Sequence, residues 1–416
     1  MLRVSAMKKN QQGFTLVELI VVMAIFIIVI MITADAFNTL LVQTTKIFRS
    51  EESNIEGVVG LEMMRHDLQQ GGYGLFTEVS PVAYTAEAAS APANAYNETA
   101  TTNPPRAFVA GDNLVAINET SDGAKGILAG TDYLSIKGTS VARSRASQRW
   151  TYLQNAAGTG VVPNSWPSDA ENFGPGEHVV LMQRRVTQTD NSLTLVPGPD
   201  PVVASDHYFT YSPTAFEAYS SNTDSYIMYG LNPAGNTNIP RMPFNRSDYF
   251  VARPATATQV PQMCAPNAGI LYKTTVNHDD GKLTYLPILD CVADMQVVFG
   301  WDLMDGASTG TDGLVDTYSN ADGSSISGPP GVNVPAALLD AAAIRNSLKI
   351  VKIFILAQNG RRDPGYTSPS PIHVGDQTIL SNTRGSNVDI AANGWQNYRW
   401  KLYQIIVRPK NLTSNQ

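Results

Sequence analysis

The sequence predicts an α+β protein, one long N-terminal helix followed by a large, mainly antiparallel β head. Two observations carry this. From Phe14 to Ala34 there are 21 residues, of which only Thr15, Glu18 and Thr33 are polar, and no proline interrupts the chain before residue 81. Beyond residue 107 the pattern changes to short runs rich in Val, Ile, Leu and Tyr bounded by Gly, Pro, Asn and Asp, which is how strands joined by turns read.

The chain's 416 residues, 43% hydrophobic and 16% charged, suffice for a real core and for one large or two modest domains. Its formal charge is −7, with 36 acidic against 29 basic residues, and loss of the leader that carries Arg3, Lys8 and Lys9 would leave 26 against 36, or −10. A nucleic-acid partner needs clustered Lys and Arg and is not expected here.

The first element is the apolar run. At 1.5 Å rise per residue it makes a rod of about 30 Å, the thickness of a bilayer's hydrocarbon core. The basic residues before it put the N-terminus in the cytoplasm and everything after about residue 40 on the far side. An ordinary cleaved signal places a small-residue cleavage site after its apolar core. Here Gly13 lies before it, so a cut at that point leaves the helix on the mature protein. Glu18 is the one carboxylate in the run, and in hydrocarbon or a packed helical core it is costly unless paired.

That arrangement, "MKKNQQGFTLVEL" leading into the apolar run, resembles the class III signal of type IV pilins and type II secretion pseudopilins. The resemblance implies that a prepilin peptidase cuts after Gly13, that Phe14 becomes the N-methylated first residue, and that Glu18, the fifth mature residue, pairs with a neighbouring subunit's N-terminal amine during assembly. Met1 and Met7 are both candidate starts. Asp35 stands where many major pilins carry a helix-kinking proline, which points away from the main structural subunit.

The helix continues beyond the membrane segment. Phe37, Leu40, Leu41, Thr44, Ile47 and Phe48, then Ile55, Val58, Leu61, Met64 and Leu68, recur at helical spacing with Glu51, Glu52, Glu56 and Glu62 between them. Gly57 and Gly60 weaken it locally, and "GGYG" at 71–74 stops it. The expected organisation is a leader at 1–13, a transmembrane and assembly half-helix at 14–41, an amphipathic half at 42–72, and a head at 73–416 with a variable insertion at 77–262.

In the head, residues 81–106 ("PVAYTAEAASAPANAYNETATTNPPR") read as an exposed loop. Strands are expected at "NLVAIN", "DYLSIKG", "HVVLMQRRVT", "SLTLVP", "DYFVAR", "GILYKTTV", "KLTYLPI", "MQVVFGW", "LKIVKIFILAQ" and "RWKLYQIIVRP", with a hairpin turn over Thr189 to Ser192 and a helical piece at "PAALLDAAAIRN". "LEMMRHDLQQGGYGL", "LPILDCVADMQVVFGWD", "SLKIVKIFILAQNGRRD" and "YRWKLYQIIVRPKNL" together resemble the minor pilins of the PilW type. That resemblance implies a non-catalytic subunit without a cofactor, held in the inner membrane with its head in the periplasm and incorporated into the pilus. It would initiate and cap the fibre beside other minor pilins, the major pilin and a PilY-type adhesin. The alternatives are a J-type pseudopilin and a tip-displayed adhesin whose middle region binds a surface or sugar.

Cys264 and Cys291 are the only cysteines. In an oxidising compartment, flanking the "GILYKTT…KLTYLPI" hairpin, they are expected to form a disulfide across adjacent strands. The Asp-rich segment offers Asp302, Asp305, Asp312, Asp316 and Asp322 as weak calcium candidates. It fails the EF-hand spacing: with Asp312 at position five, Ser308, Gly310 and Ser319 fall where ligands belong. "GASTG" at 306–310 satisfies G-x-S-x-G without the strand, sharp turn and helix that pattern requires. His66, His178, His207, His278 and His373 are scattered, and most are expected at the surface or in hydrogen-bonded loops. Tyr219, Tyr226 and Tyr229 are expected to pack on strands rather than form a binding patch.

Overall fold

The computed structural model describes residues 15–115, 125–156, 160–186, 191–198, 206–216, 219, 225–233, 239–254, 260–306, 308–324, 326–376 and 384–413. One helix runs Leu16–Gln70. Residues up to Ser53 and residues from Asn54 onward belong to separate compact units. In the first, the large apolar side chains from Leu16 to Ile32 are all exposed, on every face of the helix. Thr33 satisfies its hydroxyl internally, donating to the Val29 carbonyl at 2.7 Å.

The second unit starts with the last helical turns. The buried stripe there is Gly57, Gly60, Leu61, Met64, Asp67, Leu68 and Gly71, whereas Val58, expected inside, is 52% exposed. The two glycines are the reason for this rotation. A Cβ on Gly60 would fall on the Ile288 carbonyl oxygen, with the Ile288 carbonyl carbon at 2.9 Å and its Cβ at 3.0 Å. Only a bare backbone allows the helix this close to the strand. The stop at "GGYG" occurs as expected: the helix ends at Gln70, Tyr73 N–H donates to the Gln70 carbonyl at 3.0 Å, and Gly72 and Gly74 take positive φ.

The described part of the larger antiparallel sheet has nine strands. Its path runs Phe108–Gly111, Tyr133–Gly138, Asn245–Pro254, Gly269–Val276, Leu283–Trp301, Leu348–Asn359 and Arg399–Val407, with two short strands beside it. "KLTYLPI" and "MQVVFGW", expected as two strands, are one strand of 19 residues. Its first part pairs with Gly269–Val276 and its second with Leu348–Asn359. Pro287 is tolerated beside a register irregularity within the first of those partnerships. "NLVAIN" is not a strand over 113–115, and the rest of it lies outside the described residues.

Gly138 pairs with Asn245, so residues 139–244 leave the large sheet and return to the adjacent strand. Within them is a second antiparallel sheet, ordered Gly160–Pro163, Trp150–Ala156, Ser225–Gly230, His178–Val186 and Asn191–Val196, with Phe209–Thr210 on its side. The hairpin at "RRVTQTDNSLTLV" forms, with Val186 opposite Asn191. Asn191 and Ser192, expected in its turn, are therefore strand residues, and 187–190 lie outside the described residues. "VVLM" at 179–182 is apolar throughout because it is buried on both faces: Val180 and Met182 enter the main core while Val179 and Leu181 enter a smaller one with Phe209, Phe216 and Met228. "PAALLDAAAIRN" is two helices, Val334–Leu339 and Ala341–Ser347, divided at Asp340, whose carboxylate accepts Ala342 N–H at 2.8 Å and caps the second.

Candidate functional site

Gly13 and Phe14 lie outside the described residues. Immediately after them, Thr15 and Glu18 cap the helix reciprocally: Thr15 N–H and its hydroxyl donate to Glu18 Oε2 at 3.0 and 2.9 Å, and Glu18 N–H donates to Thr15 Oγ1 at 3.3 Å. This is a capping box. The T-x-x-E spacing of "FTLVE" carries that signal in the sequence, so Glu18 has a role within its own helix beside the one expected between subunits. The apolar segment that follows, Leu16–Asn38, is 23 residues long and apolar enough to cross a membrane.

In the head, residues 81–106 are not the exposed loop expected. Tyr84, Glu87, Ala88, Ala93 and Tyr96 are buried, because an ionic cluster holds the segment against the large sheet. Lys137 Nζ, fully buried, lies 2.9 Å from Glu87 and 2.5 Å from Glu98. Arg246 lies 2.8 Å from both Glu87 and Asp248, and Arg106 3.0 Å from Glu98. Three cations thus meet three carboxylates, so the buried cluster carries no net charge. Burial alone would raise the Glu98 carboxyl, but the Lys137 and Arg106 charges outweigh it and hold it below its ordinary value. A second buried pair, Asp67 with Lys273 at 2.5 Å, also accepts the Tyr249 hydroxyl at 2.7 Å and ties the helix end to the same sheet.

Cys264 and Cys291 form the expected disulfide. It joins the Leu283–Trp301 strand to the turn preceding Gly269–Val276 rather than crossing two strands. Cys291 has φ +54 beside the register shift of that strand pair, an unusual conformation for a residue with a Cβ.

The Asp-rich loop uses its carboxylates on its own backbone. Asp302, fully buried, accepts the N–H groups of Asp312 and Gly313 at 3.0 and 2.9 Å, with Lys349 Nζ 3.5 Å away. Asp316 accepts Leu303 and Met304 N–H, each at 2.9 Å, and Asp312 accepts Leu314 N–H at 2.9 Å. These are turn-forming bonds. Among the described residues no group of three His, Cys, Asp or Glu side chains is placed to hold a metal. Ser308 of "GASTG" lies in a two-residue strand paired with Met304–Asp305, not on a nucleophile elbow.

Two of the histidines expected at the surface or in hydrogen-bonded loops are hydrogen-bonded loop residues that lie inside the head. His278 is completely buried and His207 nearly so. Asn245 Oδ1 already accepts Asn232 N–H at 2.8 Å, so His278 Nε2, 3.1 Å away, is the donor to it. Burial pushes the His278 pKa down to about 3 and that of His207 to about 4. The tyrosines pack as expected: Tyr229 lies edge-on to Tyr73 at 5.3 Å and Tyr219 to Tyr226 at 5.9 Å.

Residues 8–34 match the family model of the prokaryotic N-terminal methylation motif. Residues 248–411, covering the large sheet from the Asn245–Pro254 strand to its last strand and reaching upstream into the 77–262 segment, match that of the type IV pilus-assembly protein W. No curated protein and no solved structure matches the chain. The methylation motif at one end and the pilus-assembly domain at the other support a type IV pilus minor pilin of the PilW type.

Proposed function

We propose that this protein is a non-catalytic subunit that takes part in initiating a type IV pilus and stands at its tip. A prepilin peptidase cuts after Gly13 and methylates Phe14. The apolar helix holds the protein in the inner membrane with its head in the periplasm until the subunit passes into the fibre, beside other minor pilins, the major pilin and a PilY-type adhesin. The observation that carries this reading is the capped helix itself, whose large apolar side chains from Leu16 to Ile32 are exposed on every face. Such a helix needs lipid first and neighbouring helices later. Glu18, one turn from its start, would then pair with a subunit's N-terminal amine as it leaves lipid.

Mass spectrometry of the mature N-terminus, together with blotting of sheared pili and an assay of secreted enzymes in a deletion strain, tests this. The expected result is N-methyl-Phe14 in wild type, an unprocessed precursor in Gly13→Val, and loss of pili with secretion intact. A mature start elsewhere, or a secretion defect with normal pili, would refute it.

A further inference from the structure

Residues 139–244, the excursion carrying the second sheet, end before the pilus-assembly family match begins. At one end of that sheet is a cleft of about 390 Å³, within the size range of small-molecule sites. Trp150 and Trp166 form its aromatic wall, with ring centres 5.2 Å apart at 64°, and Tyr152 lies 6.1 Å from Trp166. Trp150 is 41% and Tyr152 39% exposed. Arg145, Gln148, Arg149, Ala170 and Glu171 complete the lining.

This wall is held rigidly. Trp166 donates its ring N–H to the Trp150 carbonyl at 2.9 Å, while Asn172 accepts its backbone N–H at 2.7 Å and donates to its carbonyl at 2.9 Å. Arg149, ion-paired with Glu177 at 2.8 Å, donates to the Ala170 carbonyl at 2.9 Å. Thr151 donates to the Asn164 carbonyl at 2.7 Å, and Asn164 N–H to the Tyr152 carbonyl at 2.8 Å. Apart from the Arg149–Glu177 pair, these bonds tie the 164–172 loop to the Arg149–Tyr152 segment or to itself. Their combined effect is to fix the half-buried Trp166 indole beside the exposed Trp150 ring, which core packing does not require and which lowers the entropy lost when a ligand binds.

We infer that this cleft binds a saccharide, one pyranose ring lying against the Trp150–Trp166 wall. A pyranose has an apolar C–H face and a rim of hydroxyls that both donate and accept. The indoles match the face; the guanidinium of Arg145 supplies donors, and the Glu171 carboxylate and the Gln148 amide oxygen supply acceptors. Gln148 is oriented for this, because its amide nitrogen donates to the carbonyls of Ser140 and Ala142 at 2.6 and 2.5 Å. A protein partner would call for a broader apolar patch with its charges at the rim, whereas here the charged groups line the cleft itself.

The test is calorimetric titration with saturation-transfer NMR on the full-length mature protein in phosphocholine micelles, using maltotetraose, cellotetraose, chitotetraose and N-acetyllactosamine as probes. At least one should bind saturably, with transfer strongest to the C–H protons of one ring. Trp166→Ala and Trp150→Ala should each weaken it by about tenfold. Arg145→Ala and Glu171→Gln leave the hydrogen-bonded wall intact and should weaken it as well. The inference fails if no probe saturates, or if binding survives all four substitutions. It also fails if no saccharide binds and Trp166→Ala instead abolishes association with another purified pilus subunit, which would make the wall a protein contact.

Discussion

Replacing Lys137 by Met removes one charge from the buried cluster while keeping most of the side chain's volume. Three cations and three carboxylates then become two against three, and the surplus negative charge falls on Glu87 and Glu98, which contact Lys137 at 2.9 and 2.5 Å. Arg246 still holds Glu87 and Arg106 still holds Glu98, so neither carboxylate is orphaned. The loss should nonetheless be that of breaking a buried pair, about 3 to 5 kcal/mol, against a total stability of roughly 5 to 15 kcal/mol for a typical domain. Urea denaturation of the full-length protein in micelles measures it. Chymotrypsin adds a local readout, because Tyr84 and Tyr96, now buried, should become the first sites cut once the 81–106 segment loosens. The deficit should narrow on acidification. In wild type, Glu98 sits below its ordinary 4.5 and contributes stability present above that pH and lost as pH falls; without Lys137 its pKa rises and protonation relieves the surplus charge. A loss under about 1 kcal/mol, the size of a surface ion pair, with unchanged cleavage would refute the idea that this cluster anchors the segment.

Gly60→Ala should cost about 1 to 3 kcal/mol through overpacking against Ile288, while Val58→Ala on the exposed side changes stability little; equal effects in thermal melts would mean that the helix does not press there. His278 should make wild type lose stability as pH falls from about 6.5 toward 3, because the unfolded chain takes up a proton that the folded site refuses. Against His278→Gln, wild type should therefore lose up to about 1.4 kcal/mol more per pH unit in that window. Subtracting the two curves also cancels Asp294, which burial raises to about 6 and which acts in the opposite direction; parallel curves would refute the assignment. Glu18→Gln keeps a capping side chain without the charge, so it should be inserted and cleaved yet depleted from sheared pili like Glu18→Ala. If only the Ala variant is depleted, capping rather than ion pairing is what assembly needs.

The sequence alone determined what depends on neighbours along the chain. The apolar run, the Gly-Phe-Thr-Leu-Val-Glu signal, the stop at "GGYG", most strands of the large sheet and the pairing of the only two cysteines were legible there, because each is a local pattern or a forced choice. The failures share one physical cause. Glu87 meets Arg246 across 159 positions of chain and Lys137 across 50, so an Ala, Asn and Pro-rich segment that looks solvated is buried by charges no local window contains. Gly57 and Gly60 read as weak points of a helix, since propensity measures the isolated backbone; their use appears only where the Ile288 carbonyl approaches. Trp150 and Trp166 showed no pattern at all, being 16 residues apart on a strand and a loop. Only the fold brings the Trp166 indole N–H to the Trp150 backbone carbonyl and leaves the Trp150 ring exposed beside it, because a strand's register and a loop's return path are set by burial elsewhere in the sheet.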